Sequence, residues 1–164
     1  MFAFRYILAF GSNLGNPIFN CERGESALAR QGSVLWVSSK IYTKPLPSPD
    51  FEVEAGQNDF LNYIVEFESD LSPEALYQEI FAIENEVGHD RTRKWAPRHL
   101  DIDILYACKN KEGAWEEIRT EEPIQIPHPE IKNRGFLLEL LDQCDHLIHA
   151  LGNGHQTRVD QNSI

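Results

Sequence analysis

Leu100-Asp101-Ile102-Asp103-Ile104-Leu105-Tyr106-Ala107 is an apolar run broken twice by aspartate. Successive side chains of a strand point to opposite faces. The run therefore reads as a strand with Leu100, Ile102, Ile104 and Tyr106 on one face and Asp101 and Asp103 on the other. Two strand positions rise by about 6.6 Å, so both carboxylates can converge on one cation or on a pair of Mg2+ ions. Alone, such a pair is better explained by the solvated face of an edge strand.

The neighbouring residues shift the balance. Between His89 and His99 lie Arg91, Arg93, Lys94 and Arg98, four of the fifteen cationic residues of the chain. Guanidinium groups bind phosphate oxygens in a bidentate fork. Such cations next to a carboxylate pair point to phosphoryl transfer, where catalysis is mainly positioning and charge neutralisation. No GxxxxGK[ST] is present, and Gly11-Ser12-Asn13-Leu14-Gly15-Asn16 lacks GxGxxG, so that stretch reads as a turn rather than a phosphate cradle.

Upstream of the basic stretch, Ser72-Pro73-Glu74 opens a helix whose apolar face is Leu76, Ile80, Ile83 and Val87, with Gly88 as its stop. Phe60–Glu68 alternates as a strand, with Leu61, Tyr63, Val65 and Phe67 facing the core and Asn62, Ile64 and Glu66 on a mixed face. Residues 43–59 read as a long loop, rich in proline and acidic side chains. Ser33–Tyr42 has strand character, with Val34, Trp36 and Ser38 opposing Leu35, Val37 and Ser39. Asn16-Pro17 starts a helix that ends near Gly32, and Arg5–Phe10 is a first strand. Downstream come a polar stretch, a loop at Ile126-Pro127-His128-Pro129, a last amphipathic helix through Phe136, Leu137, Leu140 and Leu141, and a polar tail from about Gly152. The series βαββαβ predicts a ferredoxin-like α+β sandwich, an antiparallel sheet with helices on one face, built as one domain over residues 1–164.

Composition sets outer bounds. The chain has 164 residues, 41% of them apolar, and a net charge of −11. Such acidity argues against nucleic acid and anionic membranes as partners. No apolar run is long enough to span a bilayer, and the start lacks the order of a signal peptide. Three widely spaced cysteines suit a reducing cytoplasm. Three side chains carry two readings each. Asn62 pairs with an amide-bearing heterocycle or is a satisfied polar group at a strand end. Trp95 and Phe136 stack on an aromatic ligand or pack in the core.

Four segments, taken in order, resemble the 6-hydroxymethyl-7,8-dihydropterin pyrophosphokinase family. They are Ala9-Phe10-Gly11-Ser12-Asn13-Leu14-Gly15, Asp59-Phe60-Leu61-Asn62, the run from Arg91 to Asp103, and Ile126-Pro127-His128-Pro129 with Asn133-Arg134-Gly135-Phe136. The resemblance implies a ferredoxin-like fold with long active-site loops. It implies transfer of the β,γ-pyrophosphate of ATP to the pterin hydroxymethyl group, giving AMP and the pterin diphosphate in folate synthesis. Asp101 and Asp103 match the residues that hold two Mg2+ ions. Arg98, His128, Arg134 and Ile104 match ATP-binding positions. Arg91 and position 89 belong to the catalytic loop, where His89 replaces the usual arginine. Thr43, Pro45, Leu46, Asn62, Trp95 and Phe136 match the pterin pocket. Ala96 replaces a family glycine, and the acidic loop after Leu46 is longer than usual. These departures support an alternative reading, a catalytically weak paralogue that binds pterin or ATP as a regulatory module. A cytoplasmic monomer acting on ATP and a reduced pterin is the expectation that follows.

Overall fold

Polar caps decide where the first two helices begin. The Asn16 side chain accepts the Phe19 N–H at 3.1 Å, and Pro17 follows with its backbone angle already helical. Ser72 does the same for the Ala75 N–H ahead of Pro73. Gly88 ends that second helix at φ 114°, a left-handed conformation that disfavours a side chain. In the computed structural model, the structure describes residues 1–45, 57–88 and 98–144. Their order is β1 (Phe4–Ser12), α1 (Pro17–Ala29), β2 (Gly32–Val37), β3 (Ile41–Thr43), β4 (Phe60–Ser69), α2 (Pro73–Val87), β5 (Asp101–Lys111), β6 (Ala114–Glu117), a 3-10 turn (Pro129–Lys132) and α3 (Gly135–Asp142).

The strands form one sheet in the order β2-β4-β1-β5-β6, with β3 also paired to β4. Every pairing is antiparallel. The ferredoxin-like α+β arrangement is therefore present, with β1 at its centre. Against one face pack α1 and α2. Their core holds Leu8, Phe10, Leu28, Tyr63, Phe67, Leu76, Ile80, Leu100, Ile102 and Ile104, all buried.

The opposite face is also covered, beyond the expectation of helices on one side. There α3 and the 3-10 turn bury Ile131, Leu137, Leu140 and Cys144 against Ile7, Ile64 and Leu105. The mixed face of β4 is consequently buried too, from Leu61 to Phe67.

Two β-bulges correct the simple alternation. The β1–β5 register shifts between Ile7 and Leu8, which oppose Tyr106 and Ile104, so Leu105 is the extra residue. A bulge puts two successive residues towards the same side. Leu105 and Tyr106 therefore both pack with the α3 core, and Tyr106 does not share a face with Ile102 and Ile104. In β2 the shift falls between Val34 and Trp36. Val34 packs towards α1 and α2, Trp36 towards α3, and Leu35 is left exposed, so Val34 and Trp36 lie on opposite faces. The strand expected over 33–42 is two strands with a break at 38–40, and the β6 hairpin within the polar stretch carries no strong sequence signal.

Sheet closure at the β2–β4 edge requires glycine at position 32. A Cβ there would lie 2.0 Å from the Glu68 carbonyl oxygen. Gly32→Ala is expected to lower stability by about 2–3 kcal/mol, read as a lower urea midpoint at unchanged slope.

Candidate active site

The bulge leaves Asp101 and Asp103 in phase, and their cross-strand neighbours are small. Gly11 opposes Asp101 on one side and Asn62 on the other. Ala9 opposes Asp103 and Ile64. On this face the middle strand thus offers only a methyl group and a hydrogen, while both flanking strands carry functional side chains. The result is a cleft of about 410 Å³ whose floor includes Ala9, Gly11, Asn62, Asp101 and Asp103. Thr43, Lys44, Pro45 and Phe60 wall one side, and Arg98, His128, Glu130, Arg134 and Phe136 complete it.

The charges in the cleft are ordered by contacts. Arg98 Nη1 pairs with Asp101 Oδ1 at 2.7 Å. His128 Nε2 lies 3.7 Å from Asp103 Oδ1. Arg134 Nε is 3.2 Å from Glu130 Oε2, one helical turn before it. Burial, then the Asp101 charge, push the Asp103 carboxyl up to about 7, against the pull of Arg134 and Arg98. Burial, then Arg134, lower the His128 pKa, so its imidazole is neutral at pH 7. The backbone N–H of Glu130 donates to His128 Nδ1 at 3.2 Å, which leaves the proton on Nε2, facing Asp103. His128 itself is held by its backbone N–H, which donates to the bulge carbonyl of Leu105 at 3.0 Å.

The walls are fixed by further hydrogen bonds. Asn62 Nδ2 donates to Thr43 Oγ1 at 2.8 Å and to the Phe60 carbonyl at 3.0 Å, which orients the amide. The buried Glu84 of α2 accepts the N–H of Ile102, between the two aspartates, at 2.8 Å. Asn13, in the turn after β1, bonds the backbone of Arg98.

Nine of the residues expected at the site therefore meet in one cleft: Asp101, Asp103, Arg98, His128, Arg134, Thr43, Pro45, Asn62 and Phe136. The Ile104 side chain does not join them. It is buried in the core under α1 and α2, because it alternates with the aspartates. Leu46, His89, Arg91, Trp95 and Ala96 lie outside the described residues. Lys44, Phe60 and Glu130 line the cleft without having been singled out in the sequence. Lys44 and Phe60 flank recognised residues by one or two positions, and the i, i+4 spacing of Glu130 and Arg134 is a legible pairing signal.

A family model described as 7,8-dihydro-6-hydroxymethylpterin-pyrophosphokinase matches residues 7–146. The chain belongs to this family. It is 35% identical over 133 residues to the 2-amino-4-hydroxy-6-hydroxymethyldihydropteridine pyrophosphokinase of Haemophilus influenzae, covering 80% of this chain and 75% of that protein. The Bacillus subtilis protein of the same name is 35% identical over 159 residues, 96% of this chain and 86% of the relative. A folate synthesis bifunctional protein of Chlamydia trachomatis is 32% identical over 134 residues, 82% of this chain but only 29% of that longer protein. The cleft is thus a candidate active site in a family of enzymes.

The raised Asp103 pKa has a stability consequence in the metal-free protein. The folded state keeps a proton that the unfolded chain releases, so the contribution is complete below about pH 4 and is lost as pH rises through about 7. Asp103→Asn should flatten that slope. At pH 8 it should gain about 1 kcal/mol by urea titration, after allowance for the 37% of the side chain that water still reaches.

Proposed function

We propose that this protein transfers the β,γ-pyrophosphate of ATP to the hydroxymethyl group of 6-hydroxymethyl-7,8-dihydropterin, in a Mg2+-dependent reaction that releases AMP. The observation that carries this reading is one cleft with two chemistries. Its β5 side gathers Asp101, Asp103, Arg98, His128 and Arg134, and its β3–β4 side gathers Thr43, Pro45 and Asn62. The first group suits a polyphosphate and the second suits a flat heterocycle with an amide edge.

The donor set fits divalent cations. Burial and, after it, the neighbouring Asp101 charge push the Asp103 carboxyl up to about 7, and hard oxygen ligands are what Mg2+ prefers. Asp101 and Asp103 would hold two Mg2+ ions, which when bound neutralise the triphosphate. Arg98 and Arg134 bind phosphate oxygens and stabilise charge on the transferred group and on the departing AMP. Arg98 is already oriented by its 2.7 Å contact with Asp101. Neutral His128 donates its Nε2–H to a phosphate oxygen. Asn62 and Thr43 hydrogen-bond the pterin edge, and Phe136 stacks on its ring. Arg91 and His89 act from the catalytic loop, and Leu46 and Trp95 complete the pterin pocket. Ile104 serves ATP through its backbone. The chain acts as one domain, a cytoplasmic monomer, on ATP and a reduced pterin without nucleic acid or membrane. Among the described residues no helix is long and apolar enough to cross a membrane.

AMP release from ATP and Mg2+ should depend on the pterin. It should fall at least about 1,000-fold in Asp101→Ala/Asp103→Ala, since metal and phosphate positioning supply most of the rate. A folded protein that binds pterin yet forms no AMP would sink the enzymatic reading and leave the pterin-binding module, with His89 as its mark. A second variant tests the acceptor side. A Cβ at Gly11 meets nothing nearer than 3.7 Å, so Gly11→Ala is accommodated and narrows the floor between Asn62 and Asp101. Its pterin KM should rise about tenfold or more while the ATP KM changes little.

A further inference from the structure

We propose that Asn13 is a positioning residue, resting on the reaction proposed above. It fixes Arg98 on the phosphate side of the cleft and ties that side to the strand bearing Asn62. Asn13 is 1% exposed, and burying an amide is costly unless its donors and acceptor are bonded. Its Oδ1 accepts the Arg98 N–H at 2.8 Å. Its own backbone N–H donates to the Arg98 carbonyl at 3.0 Å. The Ser12 hydroxyl donates to the same carbonyl at 3.4 Å. Both backbone polar groups of Arg98 are therefore held from the turn after β1, which fixes the origin of the guanidinium that pairs with Asp101.

The other end of the amide reaches the acceptor side. Asn13 Nδ2 donates to the Asn58 carbonyl at 3.1 Å, two residues before β4 starts at Phe60. Phe60 lines the cleft, and its carbonyl orients Asn62. One side chain must thus accept from one cleft wall and donate to the other. An amide does both at once, whereas a carboxylate can only accept and a methyl group does neither. Asn13 touches no reacting group; it acts through Arg98 and through the base of β4.

The test compares Asn13→Ala with Ser69→Ala. Ser69 is equally buried at the opposite end of the sheet, where its hydroxyl donates to the Gln31 carbonyl at 2.6 Å and accepts the Leu71 N–H at 3.1 Å. Both variants should lose similar thermal stability. Asn13→Ala should also lose about 10- to 100-fold in kcat, the scale of a roughly 1 Å misplacement, and Ser69→Ala less than about twofold. In an Arg98→Ala background, the kcat loss from Asn13→Ala should shrink to about threefold or less, because the residue it positions is gone. Asn13→Asp keeps the acceptor for Arg98 and loses the donor to Asn58. It should raise the pterin KM about tenfold with kcat within about threefold, and it carries the test if Asn13→Ala does not fold. Equal kcat losses in Asn13→Ala and Ser69→Ala, an undiminished loss in the Arg98→Ala background, or a kcat collapse in Asn13→Asp each overturn the inference alone. A wild-type protein without pterin-dependent AMP release overturns the proposed reaction and this inference with it.

Discussion

Everything in the cleft depends on how β1 pairs with its two neighbours. Eight residues of β1, from Phe4 to Gly11, pair with both β4 and β5, and the end of that run sets Gly11 beside Asp101 and Ala9 beside Asp103. On this face the central strand gives up volume just where the flanking strands carry Asn62 and the aspartates. A larger residue at either position would fill the floor. The opposite face of the same strand buries Leu8 and Phe10 under the helices, so the strand holds the core with one side and makes room with the other. A slip of one residue would exchange the two faces. The core therefore enforces the register that the cleft needs.

Electrostatics builds on that geometry. Burial in the cleft, and after it the Asp101 charge on the adjacent same-face position, push the Asp103 carboxyl up to about 7. Arg98 and Arg134 relieve some of the repulsion, and a divalent cation would relieve more. The protein tolerates this strain because the backbone around the pair is held from several elements. Glu84 of α2 bonds Ile102, Asn13 bonds Arg98, and the Leu105 carbonyl holds His128 in reach of Asp103. In this strongly acidic chain, Lys44, Arg98 and Arg134 line the same cleft as the two aspartates.

Much of this was legible in the chain itself. Alternation set Asp101 and Asp103 apart from Ile102 and Ile104, and the caps at Asn16, Ser72 and Gly88 marked the helices within a residue or two. The resemblance to the pterin pyrophosphokinases marked nine residues that meet in the cleft, seven of them within its four ordered segments. The errors lie where local pattern has no access to a partner strand. Tyr106 and Trp36 sit on unexpected faces because each follows a bulge, and a bulge exists only relative to the strand it mismatches. Nothing in the alternation of β4 foretold that its second face would be covered by α3, since Ile64 and Glu66 read equally well as a mixed surface.

Short-range chemistry, namely period, caps, turn residues and the company a carboxylate pair keeps, is written along the sequence. That is why it alone gave the βαββαβ core of the element order and the shared face of the aspartates. Tertiary structure decided what requires contact between distant segments. It set the small residues of β1 against the aspartates of β5, turned the proton of His128 towards Asp103 through the Glu130 N–H, and buried the amide of Asn13 between Arg98 and Asn58. Those partners are up to 94 positions apart in the chain, as Ala9 is from Asp103. Only the packing of the sheet brings them within hydrogen-bond range, so no local pattern can announce them.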